Sequence, residues 1–191
     1  MLWVYLNVWR VLPAFLFFRT NKFKDKCLMD LEEWVKRFST VKQRRRFFQF
    51  GYIMLVDKAY RNVLLNRLHR NPLMFVVTRV LFAPLNSCYI NMAPENIGGG
   101  LFLQHGFSTI IAAEKIGERC HINQQVTIGY DETDSPVIGD NVLIAAGAIV
   151  IGKVNVGNNA KVGAGAVVVK DVPENATVVG VAAKVVKISN V

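Results

Sequence analysis

The sequence predicts a mainly β chain, a parallel β-helix of six-residue repeats preceded by an α-helical N-terminal region. Three observations predict it. Ile138, Ile144, Val150, Val156, Val162 and Val168 put a β-branched residue at every sixth position without a break. Ile116, Ile122 and Ile128 make a second ladder of the same spacing. The composition also changes near residue 90: glycines become frequent and aromatics nearly disappear.

A period of six is wrong for an α-helix and too long for hairpin alternation. It suits a coil with three flat sides, one short strand per side, in which each strand turns one branched residue inward and stacked coils bury those residues as ladders. Small residues beside the ladder, such as Gly139, Ala145, Gly157 and Gly163, suit tight corners. Ten residues separate Ile128 from Ile138, one repeat plus four, and the surplus falls in the polar stretch 130–136 (YDETDSP). That stretch reads as a loop extruded from the coil. Upstream, Ile97, Leu103 and Ile110 continue the ladder with one residue slipped in.

The first 90 residues read as helical. Leu28, Leu31, Trp34, Val35 and Phe38 follow the three-and-four spacing of one helix face. Between Tyr60 and Leu85, apolar faces alternate with Arg61, Arg67, Arg70 and Arg79; Pro72 separates two helices and Pro84 ends the second. The apolar run 2–18 carries Arg10 and Pro13, and is short for a membrane span. Its basic residues follow the apolar run, the reverse of a signal peptide. It reads as an interfacial or packed helix. The expected division is therefore a basic, apolar helical region over 1–90 and a coil domain over 91–191.

Charge divides at the same place. Residues 1–90 hold 16 Lys/Arg against 5 Asp/Glu, whereas residues 91–191 hold 7 against 9. The stretch 42–48 (KQRRRFF), with Arg19, Lys22, Lys24 and Lys26, lies near Trp3, Tyr5 and Trp9. No nucleic-acid motif accompanies these bases, so nucleic acid is not the expected partner. An anionic membrane surface is one expectation for this half, and a helical oligomerisation module the other. The three cysteines, Cys27, Cys88 and Cys120, are odd in number and widely spaced, which fits a reducing, cytoplasmic location rather than a disulfide scaffold. No Cys/His spacing matches a zinc site, and no metal is expected.

Three histidines are present: His69, His105 and His121. Each has the residue type for general-base work near neutral pH. His69 lies in the Arg-rich NRLHRN and reads as solvated or phosphate-facing. His121 lies within a repeat and reads as a surface or oligomer contact.

The segments IGGGLFLQHG (97–106), QQVTIG (124–129), IGDNVLIAAGAIVIG (138–152), VGAGAVVVKDVP (162–173) and GVAAKVV (180–186) resemble the serine acetyltransferase group of hexapeptide-repeat acyltransferases. That group includes surface-polysaccharide O-acetyltransferases of bacteria. The resemblance implies a left-handed parallel β-helix, a homotrimer and acetyl-CoA as donor. It implies His105 as general base, with Asn91 orienting its imidazole in place of the family's acidic residue. It implies that Ala146, Gly147, Gly163 and Ala164 line the pantetheine groove, with Lys170 and Lys184 near the CoA phosphates.

Two positions depart from the serine acetyltransferase pattern. Gln104 stands where the family has Asp before the catalytic histidine, and Ser135 stands where it has a loop histidine before proline. Both are acceptor-side positions and are taken as substrate-binding. The expected function is therefore O-acetylation of a sugar hydroxyl in a surface polysaccharide or its precursor, at the inner face of the cytoplasmic membrane. The alternatives are a serine O-acetyltransferase of cysteine synthesis and a non-catalytic repeat scaffold. A carbonic anhydrase on the same coil would need three histidines in register, which His105 and His121 do not supply.

Overall fold

The computed structural model describes residues 6–189. Among the described residues, five α-helices precede the coil in full: α1 (Val11–Thr20), α2 (Lys24–Val35), α3 (Arg46–Val56), α4 (Lys58–Leu68) and α5 (Pro72–Leu81). Their ends follow local chemistry. The Asn21 side chain accepts from Phe23 N (2.7 Å) and donates to Phe17 O (2.9 Å), closing α1 and opening the turn into α2. Asp57 caps α4 by accepting from the backbone N–H groups of Ala59 and Tyr60, and Asn71 caps α5 with Pro72 in its first turn. The expected break at Pro72 is thus a helix start. Pro84 lies beyond the last residue of α5. Val11, Ala14 and Phe18 turn the buried face of α1 inward. Trp3 and Tyr5 lie outside the described residues. Among the described residues no helix is long and apolar enough to cross a membrane.

The coil has three parallel sheets, one per side. One contains β1 (Cys88–Ile90), β3 (Thr109–Ile111), β6 (Thr127–Gly129), β9 (Ile149–Ile151) and β12 (Val167–Val168). The second contains β4 (Lys115–Ile116), β7 (Val137–Ile138) and β10 (Asn155–Val156). The third contains β2 (Phe102–Leu103), β5 (His121–Ile122), β8 (Leu143–Ile144), β11 (Lys161–Val162) and β13 (Ala176–Val179), with β14 (Lys184–Ile188) added antiparallel at its edge. The ladders stack as expected: Ile116 on Ile138 on Val156, Ile122 on Ile144 on Val162, Ile128 on Val150 on Val168. All are buried. Two of the three corners place a left-handed residue three positions after the ladder residue: Arg119, Asn141 and Asn159 at one, Gln125, Gly147 and Gly165 at the other. The loop 130–136 leaves the coil between β6 and β7, where the Asp131 carboxylate accepts from Thr133 N and Asp134 N.

One expected ladder position is wrong. Ile110 is 47% exposed, whereas Ile111 is fully buried and pairs with Ile128. Two residues, not one, are slipped in after Leu103. A shift of one position in a strand turns every side chain to the opposite face.

The helices join the coil through a buried ion pair. The Asp30 carboxylate meets Arg67 Nε at 3.0 Å and Nη2 at 3.2 Å. Arg67 also donates to Ile97 O (2.9 Å) and Gly98 O (2.6 Å), and Asp30 Oδ1 accepts from Gly100 N (2.8 Å) and Leu101 N (2.9 Å). Arg67 is therefore no surface cation. Lys26 is likewise engaged, donating to the carbonyls of Pro94, Glu95 and Ile97. Gly99 is small for the same reason: a Cβ there would come within 2.6 Å of Met29 Sδ on α2. Trp34 completes the joint, its ring 4.7 Å from Phe102 of the coil and 5.1 Å from Tyr60 of α4. The core runs unbroken from Val11 to Val178.

Two consequences are measurable by denaturant unfolding. Ile111→Ala should cost about 2–4 kcal/mol, while Ile110→Ala should cost under about 1 kcal/mol. Asp30→Ala should cost about 3–5 kcal/mol, because it strands the Arg67 charge in the interior.

Candidate active site

The two residues slipped into the coil after Leu103 build a protrusion. His105 (φ 64°), Gly106 (φ 66°) and Ser108 (φ 52°) all adopt left-handed backbone there. Gly106 N donates to Gln104 O at 2.8 Å, tightening the turn, and Gln125 N of the next coil donates to Phe107 O at 2.9 Å. The helical region backs the protrusion. A Cβ on Gly106 would lie 3.0 Å from Ala59 Cβ at the start of α4 and 3.7 Å from Leu85 Cδ2. His105 is thereby held with its side chain exposed to solvent. A non-glycine residue in left-handed backbone is uncommon, and it persists where the surroundings enforce it.

Gln104, one residue earlier, points to a second histidine. His121 Nε2 lies 3.0 Å from Gln104 Oε1, and Arg37 Nη2 lies 3.5 Å from His121 Nδ1. A guanidinium can only donate. His121 Nδ1 therefore accepts, its Nε2 carries the proton, and that proton is given to the Gln104 carbonyl oxygen. The order is fixed from Arg37 outward, and the Gln104 NH2 remains as a donor. Phe102 packs under this chain, with Arg37 stacked 3.9 Å over its ring and His121 at its edge, 4.9 Å away. Burial, helped by the Arg37 charge, pushes the His121 pKa down to about 4, so the ring is neutral near pH 7. His121 is thus half-buried and bonded within its own chain, not a simple surface residue.

Asn91 follows β1 and donates its backbone N–H to Ile111 O at 2.8 Å. Among the described residues no hydrogen bond joins its side chain to His105. It lines a cleft of about 470 Å³ with Asn62, Asn66, His69, Arg70, Phe75 and Arg79. His69 faces that cleft with its ring edge-on to Phe75 at 5.9 Å. Ser135 is half-buried in the extruded loop, next to the buried Pro136.

The small residues at the coil corners separate into two kinds. A Cβ on Gly163 would come within 2.7 Å of Val179 Cγ1, so its size is set by packing of the next coil. Gly147 faces open space, with Gly165 N as the nearest neighbour of an added Cβ at 3.9 Å, and Gly165 has nothing within 4 Å. Gly165 N donates to Ala146 O at 2.9 Å, stacking the two corners. Gly165 was missed in the sequence, although its spacing of 18 from Gly147 marks it as the same corner one coil later. Ala164, Lys170 and Lys184 are exposed. Among the described residues no cluster of three or more His, Cys, Asp or Glu is placed to hold a metal.

Residues 135–170 match the bacterial transferase hexapeptide (six repeats). That segment covers the unbroken ladder. A serine acetyltransferase of Synechococcus elongatus is 40% identical over 100 residues, which is 50% of this chain and 41% of the relative. The serine acetyltransferase of Neisseria gonorrhoeae in complex with serine superposes with a TM-score of 0.64 at 28% identity, over 88% of this chain and 71% of that one. A serine acetyltransferase in complex with CoA superposes at 0.60 with 26% identity, over 88% and 72%. The chain spans less than half the length of the curated relative it matches. These matches correct the expected sugar acceptor: relatives and structural neighbours alike are serine acetyltransferases. The two departures at Gln104 and Ser135 are too local to outweigh a likeness that extends through the helices as well as the coil.

The His121 pKa has a consequence for stability. The unfolded chain, with an ordinary histidine pKa near 6.5, binds this proton more readily than the folded chain does. The contribution is fully present above about pH 6.5 and is lost as pH falls toward about 4. His121→Gln should flatten the fall of Tm between those two values, as followed by circular dichroism.

Proposed function

We propose that this protein is an acetyl-CoA-dependent O-acetyltransferase of the serine acetyltransferase type, with a serine-class hydroxyl as acceptor. The observation that carries the reading is the His105 protrusion. There the coil leaves its repeat at a solvent-exposed histidine, and it does so on a fold shared with serine acetyltransferases across 88% of the chain.

In this reading His105 takes the proton of the acceptor hydroxyl as the oxygen attacks the acetyl thioester. The C–O bond forms, the carbonyl becomes an oxyanion, and collapse breaks the C–S bond. The departing thiolate takes the proton back from His105, so the base is restored without a covalent enzyme intermediate. The Gln104 NH2, aligned by His121 and Arg37, donates to the acceptor, and Ser135 of the extruded loop offers a second polar contact. The open corners at Ala146, Gly147, Ala164 and Gly165 admit the pantetheine arm close to backbone, and Lys170 and Lys184 meet the phosphates. Tyr89 and Ile110, exposed on the outward face of the first sheet, support a trimer whose sites lie between neighbouring coils.

The test is thiol release from acetyl-CoA with L-serine. Turnover is expected, and His105→Ala should lower kcat by about 10²- to 10⁴-fold while the thermal transition stays in place. Full activity in His105→Ala would remove the mechanism, and no turnover of serine would remove the acceptor. Ala164→Arg should raise KM for acetyl-CoA with little change in KM for serine.

A further inference from the structure

α1 and α5 pack side by side, tied by Arg10, whose guanidinium donates to Leu81 O at 2.8 Å at the end of α5. Each helix turns an unpartnered apolar ridge outward. Along the first and the helical turn that leads into it, Leu6, Trp9, Leu12 and Leu16 follow a three-three-four spacing and are 51–66% exposed. On the second, Leu73, Val76 and Val80 follow a three-four spacing and are 54–78% exposed. The opposite face of α1, with Val11, Ala14 and Phe18, already supplies the core. Seven large apolar side chains on two adjacent helices exceed the scattered exposure that an ordinary surface carries.

The charges around the ridges say what covers them. Residues 6–24 and 58–94 contain no Asp or Glu at all. Arg19 at the end of α1, Lys22 in the turn and Lys24 at the start of α2 stand exposed, and Arg79, which also lines the His69 cleft, stands exposed on α5 beside the ridge. A second copy of the chain meeting this face would bring cations against cations with no carboxylate between them. A polyanion without apolar surface would leave the ridges in water. A bilayer with anionic headgroups satisfies both features, taking the apolar side chains at the acyl boundary and the Arg and Lys heads at the phosphates, with Trp9 at the level between.

We propose that the paired α1–α5 face docks the enzyme on an anionic lipid surface. The docking is peripheral. It uses neither His105 nor the coil corners, so it stands or falls separately from the transferase reading.

The test is co-sedimentation of the full chain with phosphatidylcholine vesicles, with and without a third of phosphatidylglycerol. Binding is expected to the anionic vesicles, to weaken with added salt, and to be slight on phosphatidylcholine alone. Trp9→Glu with Val80→Glu should lower partitioning about tenfold or more, with circular dichroism and gel-filtration elution unchanged. Arg19→Glu with Arg79→Glu should lower anionic binding while leaving the apolar ridges intact, which guards against a folding defect in the first pair. Equal binding to neutral vesicles, or none to either, would overturn the proposal. So would a shift of the Trp9/Val80 variant to a smaller species, which would make the face a contact between copies.

Discussion

The Asp30–Arg67 pair ties the two halves of this molecule together, and much of the site follows from it. Both side chains are almost fully buried, and neither is left with an unsatisfied charge: the carboxylate receives two backbone N–H groups from the glycine-rich entry to the coil, and the guanidinium spends its remaining donors on carbonyls of the same segment. Such a pair gains little over a hydrophobic substitute. What it supplies is register. It sets where the first turn of the coil begins relative to α2 and α4, and Lys26, Gly99 and Trp34 hold the same joint from neighbouring directions.

That register decides how the His105 loop is supported. The coil alone would leave two surplus residues as a loose bulge. With α4 in place, Gly106 rests against Ala59, and the three left-handed residues have a wall to lean on. α2 and the turn after it bring Arg37 to His121, and through His121 to Gln104. The helical region therefore positions the candidate chemistry, although the candidate base and groove residues belong to the coil.

The same arrangement bears on the acceptor. Taken singly, Gln104 and Ser135 are departures from an acidic residue and a histidine. In the fold, Gln104 is one member of a chain that begins at Arg37, so its effect on an acceptor depends on partners far away in sequence. The long-range likeness to serine acetyltransferases, helices included, is the sum of many such positions and outweighs two of them.

The ladder from Ile116 to Val168, the extruded loop and the helix break at Pro72 were legible in the residues alone. Each depends on a local rule: a period of six, a polar surplus, a ring that fixes φ. The corner at Gly147 was legible as well, whereas the role expected of His105 rests on its motif. Three things were decided only by tertiary structure. Ile111 rather than Ile110 enters the core, because a slip of two residues and a slip of one look alike until a neighbouring coil sets the register. Arg67 and Lys26 are structural rather than surface cations, because their partners lie from 27 to 71 positions away. His121 aligns Gln104, because an imidazole's role is set by the groups on its two nitrogens, and Arg37 stands 84 residues from it in the chain. Periodicity records what each residue does to its own strand; only packing records which distant group it meets.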